Sequence, residues 1–263
     1  MIKAIFFDID GTLFSHRTHS VPDSTIRALK ELRKQGVLTF IATGRHIAML
    51  SNFLPTEELD FEGIVSLNGQ YCRNRDGIIH HCPFPKKDLA DLLDYLNEHP
   101  HPCILIEEDQ MYINFHNELV KRVQTAIRAD MPILGDLNRG YTEPVYQALL
   151  YISEEDMAQL PPLPGIRFSR WRLNSPDLSG ADLYPASGGK AVGIARVLEH
   201  YGIDKSETMA FGDGENDVDM FGAVGLAVAM DNGCDAAKEA AHYVTDDIDR
   251  DGIWNALKHF GVL

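Results

Sequence analysis

Residues 2–14 read IKAIFFDIDGTLF. Ala4, Ile5, Phe6 and Phe7 form an apolar run without alternation, the pattern of a strand buried on both faces of a parallel sheet. That run leads straight into Asp8 and Asp10, followed by Gly11 and Thr12. Carboxylates at the end of a buried strand are costly unless something offsets their charge. Such a strand end therefore predicts a working site, and a strand that ends in polar groups predicts an open α/β sheet.

The same grammar continues outward from this stretch. Pro22 sits where a first helical turn would begin, Ile26, Leu29 and Leu32 share one helical face, and Gly36 supplies the stop. VLTFIATGR is a second apolar strand, ending in Thr43, Gly44 and Arg45, and GIVSLNG a third, ending at Asn68 and Gly69. Late in the chain SGGKAVGIARVLEHYG places Ala191, Ile194, Ala195 and Leu198 on one helical face, with Lys190 near its start. TMAFGDGEND is a short strand that stops at Asp213. LAVAM and HYVTD are two more strands around the helical DAAKEAA, and GIWNALKHF closes with a helix.

Between these portions the pattern changes. Leu89, Leu92, Leu93 and Leu96 mark a helix, CILIEEDQMYINF two strands around a turn, ELVKRVQTAI a helix and VYQALLYIS a strand. EEDMAQL is a short helix, and IRFSRWRLN and ADLYPA are closing strands; residues 131–144 carry no readable period. Paired strands with helices predict an antiparallel α+β module inserted into an α/β core. The expected division is a core of residues 1–84 and 185–263, with the inserted module at 85–184.

Composition bounds the function. Of 263 residues, 24 are Lys or Arg and 39 are Asp or Glu, a net charge of −15, which disfavours nucleic acid and anionic membrane surfaces as partners. A small phosphorylated metabolite needs only a local positive pocket and remains the expected partner. No apolar stretch approaches the roughly 18 residues of a membrane span, and Asp8 and Asp10 interrupt the only apolar run that could resemble a signal peptide. Cys72, Cys82, Cys103 and Cys234 form no CxxC pair, so idle thiols in a reducing cytoplasm are expected. The expected assembly is a monomer or weak oligomer.

If the strands are adjacent and parallel, four polar clusters converge: Asp8 with Asp10, Thr43, Lys190, and Asp213 with Asn216 and Asp217. Three aspartates cannot all stay ionised together without a cation, and magnesium is the hard ion commonly held by one or two carboxylates plus a substrate phosphate. Asp8 then suits the role of carboxylate nucleophile, which splits one hard displacement at phosphorus into two. Asp10 would protonate the leaving alkoxide and later deprotonate the hydrolytic water. Thr43 would donate to a phosphoryl oxygen with help from the Gly44 backbone, and Lys190 would offset charge on Asp8 and the phosphoryl group. Asp213 would complete the metal shell, and Asp217 would orient metal-bound water or Lys190 from behind it.

DIDGTL, IATGR, GGKAVGI and FGDGENDVDMF together resemble the four motifs of the haloacid dehalogenase superfamily of phosphatases, and more narrowly its Cof-type branch with an inserted type IIB cap. The resemblance implies a Rossmann-like core and a magnesium-dependent phosphatase acting through a phosphoaspartate, on sugar phosphates or similar small metabolites. It further implies that Asp10 lends the metal its backbone carbonyl and that Asn216 contacts the phosphate. The family's cap has one more helix–strand pair than the residues reveal, with 131–144 as its place.

Other readings of single features are weaker. GDGEND lacks the alternating oxygen ligands and terminal glutamate of a calcium loop, and His80, His81, His99 and His101 fall in separate loops without zinc-ligand spacing. Arg45 is a candidate either for substrate contact or for pairing with a surface carboxylate, Asn68 a candidate substrate contact at a core strand end, and Arg170 and Arg172 candidates in the inserted module. A phosphosugar mutase or phosphotransferase is the alternative reading, and a non-catalytic binding protein the third; the substrate is not written in the core motifs.

Overall fold

The computed structural model of the chain describes residues 1–52, 54, 59–127, 129–173 and 178–263. In chain order its regular elements are β1 (Ala4–Phe7), α1 (Asp23–Lys34), β2 (Leu38–Ala42), β3 (Gly63–Ser66), β4 (Tyr71–Asn74), β5 (Ile78–His81) and α2 (Lys86–Glu98). There follow β6 (Cys103–Ile106), β7 (Met111–Ile113), α3 (Glu118–Ile127), β8 (Gln147–Leu150), α4 (Glu154–Met157), β9 (Ile166–Arg172) and β10 (Ser179–Pro185). The chain closes with α5 (Lys190–Tyr201), β11 (Thr208–Gly212), α6 (Val218–Gly222), β12 (Leu226–Ala229), α7 (Asp235–Ala240), β13 (Tyr243–Val244) and α8 (Gly252–His259). These elements fall into two units, Met1–His81 with Gly188–Leu263, and Cys82–Ser187.

The first unit is built on a sheet of order β13-β12-β11-β1-β2-β3-β4-β5, parallel from β13 through β3. β1 lies in the middle because all four of its residues are apolar and fully buried. Its side chains alternate between two layers. Ile5 and Phe7 join a core with Leu29 and Leu32 of α1 and Ile253 and Leu257 of α8, whereas Ala4 and Phe6 face Ile194 and Val197 of α5 and Phe221 of α6. Helices thus cover both faces of a parallel-rich sheet, the α/β arrangement expected from the strand pattern. The 21–36 helix, the strands at 37–45 and 63–69, and the strand–helix alternation after residue 187 all match their elements.

The hairpin of β4 and β5 has no counterpart in the sequence reading. It extends the sheet antiparallel to β3, across a turn in which Asn74 Oδ1 accepts the amides of Asp76 at 2.9 Å and Gly77 at 3.1 Å. Arg73 and the exposed Ile78 and His81 blur the apolar run that would have marked these strands.

The second unit is an antiparallel sheet of order β7-β6-β8-β10-β9. Leu105, Ala148, Leu150, Ala181, Leu183 and Ile166 line one face and share a core with Leu89, Leu92, Leu93 and Leu96 of α2. Residues 131–144 hold no helix–strand pair among the described residues. Leu134 bridges Ile113, and a single 3-10 turn spans Leu137–Tyr141. What orders this segment is chemical rather than periodic, because Arg139 reaches the buried Glu107 at 2.7 Å and Tyr112 donates to the same carboxylate at 2.7 Å. Asn174, the last residue of the IRFSRWRLN run, lies outside the described residues. Among the described residues no helix is long and apolar enough to cross a membrane. All four cysteines are free, and burial pushes the Cys72 and Cys103 thiols up to about 12.

Candidate active site

Parallel strands bring their carboxyl ends to one edge, so β1, β2 and β11 deliver their next residues side by side. Asp8 follows β1, with its amide donating to Phe211 O at 3.0 Å, and Asp213 follows β11. After Asp8 the chain turns sharply: Leu13 and Phe14 donate to Ile9 O at 3.0 and 2.7 Å, and Gly11 donates to Phe14 O at 2.9 Å. Gly11 adopts φ +80°, and a Cβ there would sit 2.2 Å from Asp213 Oδ2, so only glycine lets the turn lie against that carboxylate. Thr12 Oγ1 donates to Asp213 Oδ1 at 3.1 Å, and Asn232 Nδ2 donates to Gly11 O at 2.8 Å.

Lys190 is the first residue of α5 and is buried to 1% exposure. Its ammonium donates to Asp8 Oδ1 at 2.7 Å and to Asp217 Oδ1 at 2.6 Å. The other oxygen of Asp217 accepts the amides of Asp213 at 3.0 Å and Gly214 at 2.9 Å, which locks the short turn over residues 215–217. Asp8, Asp213 and Asp217 each offer a carboxylate oxygen within 4.8 Å of the others. Three carboxylates against one ammonium leave the cluster two negative charges in excess, and an all-oxygen donor set suits a hard divalent cation. The residues present therefore fit the metal ion that the sequence motifs imply.

The electrostatics follow from burial. Burial holds the Asp8 carboxyl well above the usual carboxylate range, Asp217 adds to the effect, and Lys190 opposes it. Burial, then Asp217, pushes Asp213 up to about 6. Burial alone would push the Lys190 ammonium down, but Asp8 and Asp217 more than reverse it and hold it above its ordinary value. Asp213 must lose its proton to ligate a cation, so in the cation-free protein it competes below about pH 6. A divalent cation binding there is expected to show an apparent affinity about tenfold weaker at pH 5 than at pH 7 from this one proton. Isothermal titration at the two pH values checks this, and an unchanged affinity would contradict it.

The Asp10 carboxylate is not one of the three in that cluster, though its charge adds to the rise at Asp213. Arg45 clamps it with two hydrogen bonds of 2.6 Å, Nε to Oδ2 and a terminal nitrogen to Oδ1, and His16 Nε2 stands 2.9 Å from Oδ1. Thr43 is buried and its Oγ1 accepts the Arg45 amide at 3.1 Å, leaving the hydroxyl proton to donate. Asn68 lies against this turn. Its amide donates to Thr43 O at 3.0 Å, its backbone is left-handed at φ 52°, and a Cβ on Gly44 would stand 3.0 Å from Asn68 Oδ1. Asn68 Oδ1 is buried without a hydrogen-bond partner. Gly69, at φ +90°, packs so closely on the turn before Lys190 that a Cβ would meet Gly189 O at 2.0 Å. Asn216 is exposed on the 215–217 turn.

Arg170 and Arg172 stand in the second unit, in register with Ala181 and Ser179 on β10, both exposed. His16 and Asn232 escaped the sequence reading. Each acts through a partner far away in sequence, and neither belongs to a readable motif; SHRTHS reads only as a polar excursion.

Comparison with known proteins places these observations in a family. Residues 5–257 match the family model described as haloacid dehalogenase-like hydrolase. YkrA of Bacillus subtilis (strain 168), which carries a provisional phosphatase name, is 36% identical over 99% of this chain and 98% of its own. The structure of BT1666 from Bacteroides thetaiotaomicron, described among phosphatases of the same superfamily, superposes with a TM-score of 0.87 at 32% identity, covering 100% of this chain and 96% of that one. That of BT4131, described as a subclass IIB sugar phosphatase, gives a TM-score of 0.80 at 35% identity over 99% of this chain and 100% of its own.

Proposed function

Since the chain belongs to the haloacid dehalogenase-like hydrolase family, in its Cof-type branch, and is a phosphatase, we propose that it hydrolyses sugar phosphates with Mg2+ through a phosphoryl group carried on Asp8. The observation that carries this reading is the buried Lys190 bridging Asp8 and Asp217 at 2.7 and 2.6 Å, inside a group of three carboxylates that can share one ion. Kinship with a sugar phosphatase over nearly the whole chain supports the substrate class. Asp8, Asp213 and the backbone carbonyl of Asp10 would hold the ion, with Asp217, whose oxygens are taken by Lys190 and two backbone amides, orienting Lys190 from behind them. When bound, Mg2+ supplies positive charge that lets an anionic nucleophile approach an anionic phosphoryl group.

In this reading one oxygen of Asp8 stays on Lys190 while the other attacks phosphorus. A P–O bond to Asp8 forms as the bond to the sugar oxygen breaks, and Asp10 gives its proton to that departing oxygen. Water then attacks the acyl phosphate, Asp10 takes a proton from it, and inorganic phosphate leaves with the Asp8 carboxylate restored. Thr43 and the Gly44 amide would hold the phosphoryl oxygens, with Asn216 at their rim. For Asp10 to serve as acid, Arg45 must yield its two hydrogen bonds, and an incoming phosphate is the anion that would draw the guanidinium away.

The testing experiment incubates the protein with hexose and pentose phosphates and either Mg2+ or EDTA, then analyses both products. Free phosphate and the parent sugar, only with Mg2+, are expected. An isomerised sugar phosphate would indicate a mutase, and no reaction on any sugar phosphate would overturn the substrate class.

A further inference from the structure

Gly11 stands where the chain requires a glycine and is loosened by having one. A Cβ there would meet Asp213 Oδ2 at 2.2 Å, yet a glycine at φ +80° has the greatest backbone freedom of any residue. Hydrogen bonds pin the peptides on both its sides. The Gly11 amide donates to Phe14 O at 2.9 Å, and because no peptide bond is cis, the Asp10 carbonyl of the same plane points away from Phe14 O. On the other side the Thr12 amide donates to Ile9 O at 3.3 Å, and the Gly11 carbonyl accepts from Asn232 Nδ2 at 2.8 Å. Of these three bonds only that to Asn232 comes from outside the turn, from 221 residues away.

Asn232 belongs to the loop that follows β12, and that loop is built on Asp213. Met230 N donates to Gly212 O at 3.0 Å and Cys234 N to Asp213 O at 2.8 Å, and a Cβ on Gly233 would lie 2.8 Å from the same Asp213 oxygen. The side-chain amide of Asn232 is used at both ends, since its Oδ1 accepts the Ile248 amide at 2.8 Å. An aspartate would set a carboxylate oxygen against Gly11 O, and a hydrocarbon would hold neither group. Asn232 is exposed and its bonds compete with water, so they add little to stability and chiefly fix geometry. Packing does not fix it on this side: a cavity of about 260 Å3 opens beside the turn, with Gly11, Asp213, Asn232 and Ile248 in its wall.

We propose that Asn232 is a positioning residue for the cation site. By tying the Gly11 carbonyl to the loop built on Asp213, it keeps Asp8, the Asp10 main-chain carbonyl and Asp213 spaced for one ion before the ion arrives. In this role Asn232 touches neither ion nor substrate and acts through the Gly11 peptide. The inference rests on the metal-dependent reading above and names a residue that prepares its site.

The test titrates Mg2+ alone into wild type, Asn232→Ala and Asn255→Ala by calorimetry at neutral pH. Asn255 is the control: it too is exposed, and its Nδ2 donates to Asp246 Oδ2 at 2.8 Å and Arg250 O at 3.2 Å, bracing the neighbouring loop without a bond to the Gly11 turn. Asn232→Ala is expected to bind Mg2+ at least about tenfold more weakly, the usual effect of removing a group that orients a metal ligand. Asn255→Ala should bind it as wild type does. Equal affinity in wild type and Asn232→Ala, or the same loss in both variants, overturns the proposal. Hydrogen exchange on the cation-free proteins reads the turn itself. Amides of residues 9–14 should exchange about threefold faster or more in Asn232→Ala, the factor one net hydrogen bond supplies, with α1 and β11 unchanged. No change in 9–14, or an acceleration spread evenly over the chain, overturns it. If wild type takes up no Mg2+, the functional reading fails by itself, and the exchange measurement still decides whether Asn232 holds the turn.

Discussion

Replacing Asp8 with Asn is expected to lower kcat by about three to five orders of magnitude while leaving the fold intact. The amide keeps the size of the carboxylate and can still accept a hydrogen bond from Lys190, whose ammonium sits 2.7 Å from Asp8 Oδ1. What it loses is the anionic oxygen that would form the bond to phosphorus. The exchange also removes a buried charge: burial and Asp217 hold the Asp8 carboxyl well above the usual carboxylate range. The folded state therefore prefers a proton on Asp8 more than the unfolded chain does, and the ionised form costs stability at neutral pH. Asp8→Asn should accordingly melt no lower than wild type in the absence of a cation. Loss of activity without loss of stability is the pattern of a chemical role. Retained turnover in a folded variant would remove Asp8 from the reaction.

Lys190→Met is expected to do the opposite, costing both stability and activity. Methionine fills a similar volume but leaves Asp8 and Asp217 facing each other in a buried site, where their only described ammonium partner had been 2.7 and 2.6 Å away. Breaking a buried ion pair from one side typically costs about 3–5 kcal/mol. In a chain of this size that lowers the melting temperature by on the order of 10 °C. The loss should shrink as pH falls, because without Lys190 the Asp8 carboxyl is raised further and the folded state takes up a proton more readily than the unfolded one. Mg2+ should restore part of the stability, since it compensates the same excess charge, but not the activity. Differential scanning calorimetry across pH, with and without Mg2+, reads all of this. A melting temperature equal to that of wild type at neutral pH would show that Lys190 does not neutralise the cluster.

Much of this site was legible in the sequence because it obeys strand physics. An apolar run such as Ala4–Phe7 can only be central in a sheet, and parallel neighbours must put their polar ends together, so Asp8, Thr43 and Asp213 follow from order and spacing. Lys190 was legible for a related reason: it opens a helix directly after two glycines that allow a close approach to Gly69 and Gln70. What escaped depends on contacts between distant residues that no local period records. The sequence offers a carboxylate as one partner for Arg45 but not that it is Asp10, which also meets His16; Asn232 ties down Gly11, and the left-handed turn that sets the candidate Asn68 beside Thr43 has no local signature. The β4–β5 hairpin was missed because an Asx turn and exposed side chains mask its alternation. In β9 the alternation was legible, but which side faces the packed core follows only from pairing with Ala181 and Leu183.

The central claim is that phosphoryl transfer passes through Asp8, and its most direct measurement is mass spectrometry of enzyme quenched in acid during steady-state turnover of a sugar phosphate with Mg2+. An acyl phosphate survives acid far better than neutral or alkaline conditions, so peptide mapping at low pH locates it. The account predicts one added phosphoryl group on the peptide that contains Asp8, absent from Asp8→Asn and from enzyme held in EDTA. A phosphoryl group on another residue, or active enzyme that never carries one under rapid quenching, would contradict it.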